Sequence, residues 1–375
     1  MKLLSVVYKE RINTPREWSL SKFVLGDINL IVGRNATGKS RTLNIIASLA
    51  NLLSGKRKDI AEGEWHVEFD NNGISVSYDL CATGGQIHAE KMMTGEKIML
   101  SRGKDGIGKI WFEMQDCLVD FQCPVNQVAA FARRDSLQHP FFEPLFNWGR
   151  SLRHYQFGSQ MGHHNFSMKN TLIEGDREDD WDDTATQRVL NVFRKGQATG
   201  DDYVKAVIQD MQSIGYNIDS VFQDVESEIV SNIGALYSLS VKERDLLGNT
   251  SQFCMSQGMW RALALIIQVN YQVRSNESCA ILIDDIGEGL DYARAKSMIG
   301  LLIERAKTGK FQLIMTTNDR FIMNEVPLDY WSVAERTGKD VRLFNSSNSK
   351  ESFENFKYAG LSNFEFFKNA NFTGN

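Results

Sequence analysis

The chain has 375 residues, of which 42% are hydrophobic and 24% charged, and its formal net charge is −5. Such a length and composition are typical of a globular protein with about two to three domain-sized units or one elaborated domain. The acidic balance excludes a basic field over the whole surface, and with it long-range attraction of DNA by net charge, but it leaves room for a local basic groove.

The five cysteines (Cys81, Cys117, Cys123, Cys254, Cys279) are scattered and form no CxxC pair. This argues against a zinc module or a disulfide framework and fits a reducing cytosol. No apolar run approaches the ~18 residues of a membrane span, and the N-terminus turns polar too early for a signal peptide. We therefore expect a cytoplasmic protein without membrane segments.

The first third of the chain contains clear periodic patterns. Residues 3–9 and 27–32 are predicted as strands. Residues 41–54 are predicted as a helix that Gly55 ends, because apolar residues recur there at helical spacing. From 64 to 112, short alternating runs are separated by glycine-containing turns, which predicts an antiparallel β-meander.

The remaining two thirds are less regular. Residues 113–240 contain an aromatic-rich turn, a Gly/Ser/His loop, an acidic run at 174–183 and a helical stretch at about 184–214. Strand pairing is predicted again for 232–247. Helix and strand alternate from 255 to 332, which indicates a parallel sheet. The aromatic tail, 346–375, predicts an amphipathic helix and a turn, with the phenylalanines packed against the sheet.

A glycine-bounded motif follows the strand at 27–32. It consists of Gly33, Arg34, Asn35, Ala36, Thr37, Gly38, Lys39 and Ser40, and Arg41, next in the chain, is also expected to contribute to cofactor binding. This is the pattern G-x-x-x-x-G-K-[ST], in which backbone N–H groups and a helix N-terminus hold phosphates. Lys39 would reach the β- and γ-phosphates, and the Ser40 hydroxyl would bind Mg²⁺. The motif predicts ATP and Mg²⁺ as cofactors.

A second motif follows an apolar run near the end of the chain. Residues 280–283 are predicted as a buried strand that ends in Asp284 and Asp285. A carboxylate at the end of a strand beside a phosphate loop can hold Mg²⁺, which is the role expected of Asp284. Asp285 would then be placed to orient the attacking water.

A third motif opens a strongly apolar helix roughly 25 residues before Asp284. Ser256, Gln257 and Gly258, with Arg261, are predicted to form a second anion site at that helix N-terminus. One nucleotide in one chain needs only one γ-phosphate site. We therefore expect the second site to serve the nucleotide of another copy.

Together these motifs resemble the ABC-type ATPase head, and within it the SMC, Rad50, RecF and OLD-like branch of AAA-family ATP-binding proteins. The resemblance lies in "INLIVGRNATGKS", "SQGMWRALALI", "ILIDDIGEGLD" and "QLIMTTND", and it covers residues 1–55 and 230–335. It implies an α/β P-loop NTPase of ABC-type head fold, with an antiparallel β-meander subdomain and a helical insertion.

The resemblance implies further roles. Ser256, Gln257 and Gly258 would bind the partner's ATP, and Asp291 would lie in the loop at the dimer seam. Asp285 stands where the family usually has a catalytic glutamate, and Asn318 stands where it has a switch histidine. Because aspartate is shorter and Asn318 cannot carry a proton, we predict slow hydrolysis.

One further metal-site residue is expected between the meander and the helical insertion. Gln122, Gln127 and Gln138 are all candidates for this glutamine, and Gln138 is preferred. The predicted organisation is a single head with a nucleotide-binding lobe (1–60), a β-subdomain (61–115), a loop and helical insertion (116–230), a lobe with the second and third motifs (231–345) and a tail (346–375).

The predicted function is a slow ATPase that forms a homodimer or a higher oligomer around ATP. The segment after the last motif is too short for a TOPRIM nuclease domain, so we expect a separate effector protein. Stand-alone ATPases of this build resemble those of bacterial anti-phage defence systems, where they control such an effector. The first alternative is a RecF- or Rad50-like DNA-repair ATPase, which the net charge does not favour. The second is a transporter subunit, which the variant signature and the large insertion oppose.

Overall fold

The computed structural model describes residues 1–60, 62–157, 167–170, 189–225, 234–275, 279–357 and 362–369. The predicted Gly/Ser/His loop lies largely outside the described residues, as do the acidic run at 174–183 and the first residues of the helical stretch at 184–214. Within the described part, no helix is long and apolar enough to cross a membrane.

The strands are, in chain order, β1 Lys2–Glu10, β2 Trp18–Val24, β3 Ile28–Val32, β4 Gly63–Asn71, β5 Ile74–Thr83, β6 Gln86–Thr94, β7 Lys97–Arg102, β8 Ile107–Phe112, β9 Cys117–Gln122, β10 Arg153–Gln156, β11 Ser167–Asn170, β12 Ile218–Val225, β13 Gly234–Glu243, β14 Thr250–Ser251, β15 Cys279–Asp284, β16 Phe311–Thr317, β17 Trp331–Thr337 and β18 Asp340–Asn345. The helices are α1 Lys39–Leu53, α2 Ala129–Ala132, α3 Glu143–Ser151, α4 Val189–Ala198, α5 Asp202–Ser213, α6 Gln257–Arg274, α7 Tyr292–Lys307, α8 Arg320–Glu325, α9 Lys350–Lys357 and α10 Asn363–Asn369. The predicted mixed α/β class is confirmed.

The chain divides into two compact units. The first contains residues 1–154, 277–282 and 311–375, and the second contains 155–276 and 283–310. Strands β10 and β15 begin in the first unit, and their last residues belong to the second. The predicted segment boundaries stay a prediction.

The first unit is built on a large sheet. Its strand order among the described residues is β10-β15-β16-β3-β17-β18-β2-β1-β4-β5-β6-β7-β8-β9. Strand β3 is parallel to both of its neighbours, β16 and β17, and all five of its residues are buried. Strands β4 to β9 pair antiparallel, each with the next. The sequence pattern missed β2, which carries the buried Trp18.

Helix α1 contributes one face to the core of this unit. The residues predicted for that face are all buried: Leu43, Ile46, Leu49, Ala50 and Leu53. The helix lies so close to α3 that a Cβ at Gly149 would lie 2.5 Å from the carbonyl oxygen of Ala50. Burying a large apolar side chain contributes about 1.5–3 kcal/mol. The apolar stripe therefore anchors the helix whose first turn follows the phosphate loop.

The tail also packs as predicted. Phe353 and Phe366 are buried, and their rings meet edge to face at 4.9 Å. The Phe356 ring lies 4.7 Å from that of Phe366, which in turn lies near Trp331. Two short helices, α9 and α10, carry these rings where the sequence pattern predicted one helix and a turn.

In the second unit, β11, β12, β13 and β14 form a small antiparallel sheet. Helices α4 and α5 are two helices where the pattern predicted one, because Thr199 and Gly200 end the first. Asp210 on α5 accepts hydrogen bonds from Arg305 at 2.7 Å and from Asn270 at 2.7 Å. This buried carboxylate joins three helices of the unit, α5, α6 and α7.

Candidate nucleotide site

Residues 33–40, which we call the phosphate loop, form the turn between β3 and α1 and the first two residues of α1. Two of its residues have left-handed backbone, Ala36 with φ 64° and Gly38 with φ 101°. A Cβ at Gly33 would lie 2.7 Å from Thr37 Oγ1 and 2.9 Å from the Ala334 carbonyl oxygen. Glycine is therefore required at Gly33 by close packing and at Gly38 by its backbone angles.

The start of α1 is suited to an anion. No side chain caps its N-terminus in the part of the chain that the structure describes, and no acidic residue lies in its first turn. Lys39 is 5% exposed, and its Nζ donates to the carbonyl oxygens of Gly33 at 2.9 Å and Arg34 at 3.1 Å. A buried ammonium, a helix N-terminus and a glycine cradle together fit a chain of phosphates. Ser40, in the same turn, offers the hydroxyl that a phosphate-bound Mg²⁺ needs.

Asn318 lies at the same edge of the sheet as this loop. Thr317, the last residue of β16, pairs in parallel register with Val32, the last residue of β3. The next residues along the two strands, Asn318 and Gly33, therefore leave the sheet side by side. Asn318 is exposed, and ligands of open α/β sheets bind at the carboxyl ends of the strands.

Asp284 and Asp285 end β15. Asp285 has a left-handed backbone, with φ 51°, which costs a non-glycine residue free energy and is often found at functional sites. The carbonyl oxygen of Asp284 accepts a hydrogen bond from the backbone N–H of Phe157 at 3.0 Å. Gln156, the last residue of β10, is thereby brought next to Asp284.

The sequence pattern overlooked Gln156. The only signal was a short polar strand, "RHYQ", followed by Phe-Gly, and four residues are too few for periodicity to be read. Gln138, the preferred candidate, lies beside the β-meander, and its place at the metal site stays a prediction. Its backbone is bonded to Asp135 and to Glu113, which lies between β8 and β9 at the far end of the strand order.

The third motif forms the N-terminus of α6. Ser256 is the N-cap residue, and its Oγ accepts from the backbone N–H of Met259 at 3.2 Å. Ser256 and Gln257 are exposed, whereas Gly258 is buried. A Cβ at Gly258 would lie 2.6 Å from the carbonyl oxygen of Gly289. Glycine is therefore required at position 258, where the start of α6 lies close against the "GEGLD" loop.

The same loop is held by two further contacts. Arg261 Nη1 donates to the carbonyl oxygen of Glu288 at 2.8 Å. Asp291 caps α7: it accepts from the backbone N–H of Arg294 at 3.1 Å and pairs with its guanidinium at 2.8 Å. These interactions, the backbone hydrogen bond first, lower the pKa of Asp291. The start of α6 therefore lies against the loop before α7, which ends in an ionised carboxylate.

No protein family matches the sequence, and no curated protein shows significant sequence similarity to it. Its overall structure, however, is similar to solved ATPase heads. An SMC head bound to the C-winged helix domain of ScpA superimposes with a TM-score of 0.52 and 13% identity, over 92% of this chain and 97% of that one. The fold is that of an SMC head.

Two further SMC heads are similar in structure. One, from Thermotoga maritima, has a TM-score of 0.48 and 13% identity over 92% of this chain and 99% of that chain. The other carries an extended coiled coil and is bound to the C-terminal domain of ScpA derived from Pyrococcus furiosus. Its TM-score is 0.49 and its identity 11%, over 95% of this chain and 99% of that chain. At 13% identity, the superposition with a TM-score of 0.52 shows the fold alone, which is the ABC-type ATPase fold of SMC heads.

Proposed function

We propose that this protein is an ATP-binding, slowly hydrolysing ATPase that dimerises around ATP and thereby controls a separate effector. The observation that carries the proposal is the third motif. At the N-terminus of α6, Ser256 satisfies the backbone N–H of Met259. The exposed Ser256 hydroxyl and the other N–H groups of the first turn offer a second anion site besides the phosphate loop. In the dimer, this second site binds the γ-phosphate of the ATP held by the other copy of the chain.

Each residue of the site has a role in this proposal. In the first unit, Lys39 and the glycine loop bind the β- and γ-phosphates, and the Ser40 hydroxyl is assigned to Mg²⁺. In the second unit, the carboxylate assigned to Mg²⁺ is that of Asp284. Asp285 orients the attacking water. Bound ATP would supply the negative charge that both anion sites need and the bond that is cleaved. We assign the metal-site glutamine to Gln156 in place of Gln138, because Gln156 ends the strand beside Asp284.

Slow turnover follows from two side chains. The Asp285 carboxylate is one methylene shorter than glutamate, and Asn318 cannot accept or return a proton. Misplacing a catalytic group by about 1 Å can cost about a hundredfold in rate. An ATP-bound dimer would then persist long enough to act as a signal.

The dimer is tested by sedimentation of the protein with ATP, with ADP and without nucleotide. We expect a dimer with ATP alone. Lys39→Ala should abolish both ATP binding and dimerisation, whereas Ser256→Arg should abolish dimerisation and leave ATP binding by the monomer. A Ser256→Arg protein that still dimerises with ATP would contradict the proposal.

The effector role is proposed by analogy with anti-phage defence ATPases. One SMC head of similar fold is bound to a domain of ScpA, which is a precedent for a separate protein partner. A pull-down from cells with and without ATP tests it. A nuclease or toxin-like protein recovered only with ATP would support the defence role.

A second candidate function, nucleic-acid binding, is favoured by a basic patch that net charge conceals. The patch consists of segments 54–59, 131–135 and 143–153, which contain seven cationic residues (Lys56, Arg57, Lys58, Arg133, Arg134, Arg150, Arg153) and three acidic ones (Asp59, Asp135, Glu143). In a chain of net charge −5, this is a strong local excess of positive charge.

Contacts between the segments show that the patch is continuous. The Arg134 guanidinium lies 3.5 Å from the centre of the Phe146 ring, and Phe131, 41% exposed, stacks on Phe146. The Phe131 ring also covers Gly55, and Lys56 Nζ donates to the Arg150 carbonyl oxygen at 2.8 Å. Cations beside an exposed aromatic ring suit a phosphate backbone with unpaired bases.

The nucleic-acid function is tested by the salt dependence of DNA binding. Lys58→Ala should reduce the slope of log affinity against log salt by about one unit if that lysine contacts a phosphate. Lys109→Ala, on β8, is the matched control. An unchanged slope in both variants would leave the effector function as the better supported of the two.

A further inference from the structure

A second cation lies in the first turn of α1, just after the motif lysine. The Arg41 guanidinium pairs with the Glu10 carboxylate and lies 4.5 Å from the centre of the Trp18 ring. Glu10 also accepts a hydrogen bond from the Tyr8 hydroxyl at 2.7 Å. The carboxylate is thus held on one side by Tyr8 and holds Arg41 on the other.

Trp18 forms a fixed base for this arrangement. Its side chain is 1% exposed, and its six-membered ring packs against the phosphate loop, 3.1 Å from where a Cβ of Gly38 would lie. The buried indole Nε1 has no hydrogen-bond partner among the described residues. A buried N–H without an acceptor costs free energy, which the burial of the rest of the indole offsets.

Arg41 itself is only partly covered. The carbon of its guanidinium lies over the Trp18 ring, and 41% of the side chain remains exposed. The Arg41 guanidinium is a flat, charged group, and its position is fixed by the Trp18 ring and the Glu10 carboxylate. A guanidinium plane of this kind can stack on a nucleobase.

The position of this surface relates it to the phosphate loop. Arg41 is two residues after Lys39 in the same helical turn, and Trp18 touches Gly38. The base of a nucleotide is joined to its α-phosphate through the ribose alone, so it must lie near the turn that holds the phosphates. Among the described residues around that turn, Arg41 offers an exposed planar group, with the buried Trp18 ring behind it.

We propose that the exposed face of Arg41, backed by Trp18 and oriented by Glu10, is the platform on which the purine base of the bound nucleotide stacks. The inference rests on the proposed nucleotide site and goes beyond it, because it assigns base recognition to a residue outside the G-x-x-x-x-G-K-[ST] pattern. The contact is made by the plane of the guanidinium as well as by its charge. Lysine carries the positive charge but has no planar group, so Arg41→Lys distinguishes stacking from charge attraction.

The test compares ATP with inorganic triphosphate, each titrated with Mg²⁺ into the full-length protein by calorimetry. Arg41→Lys should weaken ATP binding by about five- to twentyfold, the size expected for loss of one stacked cation. Binding of triphosphate, which has no base, should change by less than about twofold if only stacking is lost. Arg244→Lys, at an exposed arginine that pairs with Asp219 on β12, is the matched control and should change neither.

Three results of these titrations would contradict the proposal. Equal weakening of ATP and triphosphate would show that Arg41 contacts phosphate, and this would overturn the platform. Unchanged ATP binding in Arg41→Lys would overturn it as well. Arg41→Ala, which removes both plane and charge, should weaken ATP at least as much as lysine does. A wild-type protein that binds neither ligand would overturn the nucleotide site itself, and the platform with it.

Discussion

Replacing Glu90 by glutamine should strongly destabilise the first unit. Glu90 Oε1 accepts from the Tyr78 hydroxyl at 2.8 Å and from the Ala130 N–H at 2.9 Å. Oε2 accepts from Arg102 Nε at 2.8 Å and from the Ala129 N–H at 2.9 Å. The side chains of Glu90 and Arg102 are both 0% exposed. This carboxylate therefore satisfies four donors and neutralises a fully buried guanidinium.

The size of the effect follows from these contacts. The amide of Glu90→Gln keeps one accepting oxygen and turns an NH₂ group towards donors that the second carboxylate oxygen had satisfied. It also leaves Arg102 buried without a counter-charge. Removing one partner of a buried ion pair costs about 3–5 kcal/mol, which is a large fraction of the 5–15 kcal/mol typical of domain stability.

Urea unfolding followed by circular dichroism measures this free energy. The control is Asp120→Asn, which removes the exposed Lys109–Asp120 pair (3.5 Å) on the same meander and should cost no more than about 1 kcal/mol. Glu90 also binds the first N–H groups of α2, which precedes Arg133 and Arg134, so DNA binding by the basic patch should weaken too. A loss below about 1 kcal/mol in Glu90→Gln would refute the reasoning.

Three further predictions concern the nucleotide site and its surroundings. Burial, the largest cause, raises the pKa of Tyr8 to about 12, against about 10 in an unfolded chain. The folded state therefore holds this proton more tightly, so its contribution to stability is complete below pH ~10 and is lost as the pH rises towards ~12. Urea titrations across this range should show that loss in the wild type and a smaller one in Tyr8→Phe; equal losses would argue against it. Gly258→Ala places a Cβ 2.6 Å from the Gly289 carbonyl oxygen, and overpacking of this kind costs about 1–3 kcal/mol. Sedimentation should show loss of the ATP-dependent dimer with ATP binding retained, whereas Gly300→Ala on α7, where a Cβ meets open space, should dimerise normally. Asp285→Glu should raise the rate of phosphate release by about tenfold or more if the short Asp285 side chain limits hydrolysis in the wild type. A slower variant would show that side-chain length does not limit the rate.

The local parts of the site could be predicted from sequence because their determinants lie within a few residues of each other. The glycines of the phosphate loop, the apolar face of α1 and the N-caps Ser256 and Asp291 are set by backbone angles and hydrogen bonds that span three or four positions. Such interactions leave their own periodicity and residue types in the chain.

Other features depend on contacts between distant segments. Gln156 lies next to Asp284, which is 128 positions away in the sequence, because β10 and β15 are adjacent strands of the sheet. The basic patch brings together three segments that are separated in the sequence, and Trp18 reaches Gly38 from a strand that the periodicity missed. These were decided by the tertiary structure alone, because strand pairing and helix packing depend on how the core closes and not on the identity of neighbours in the chain.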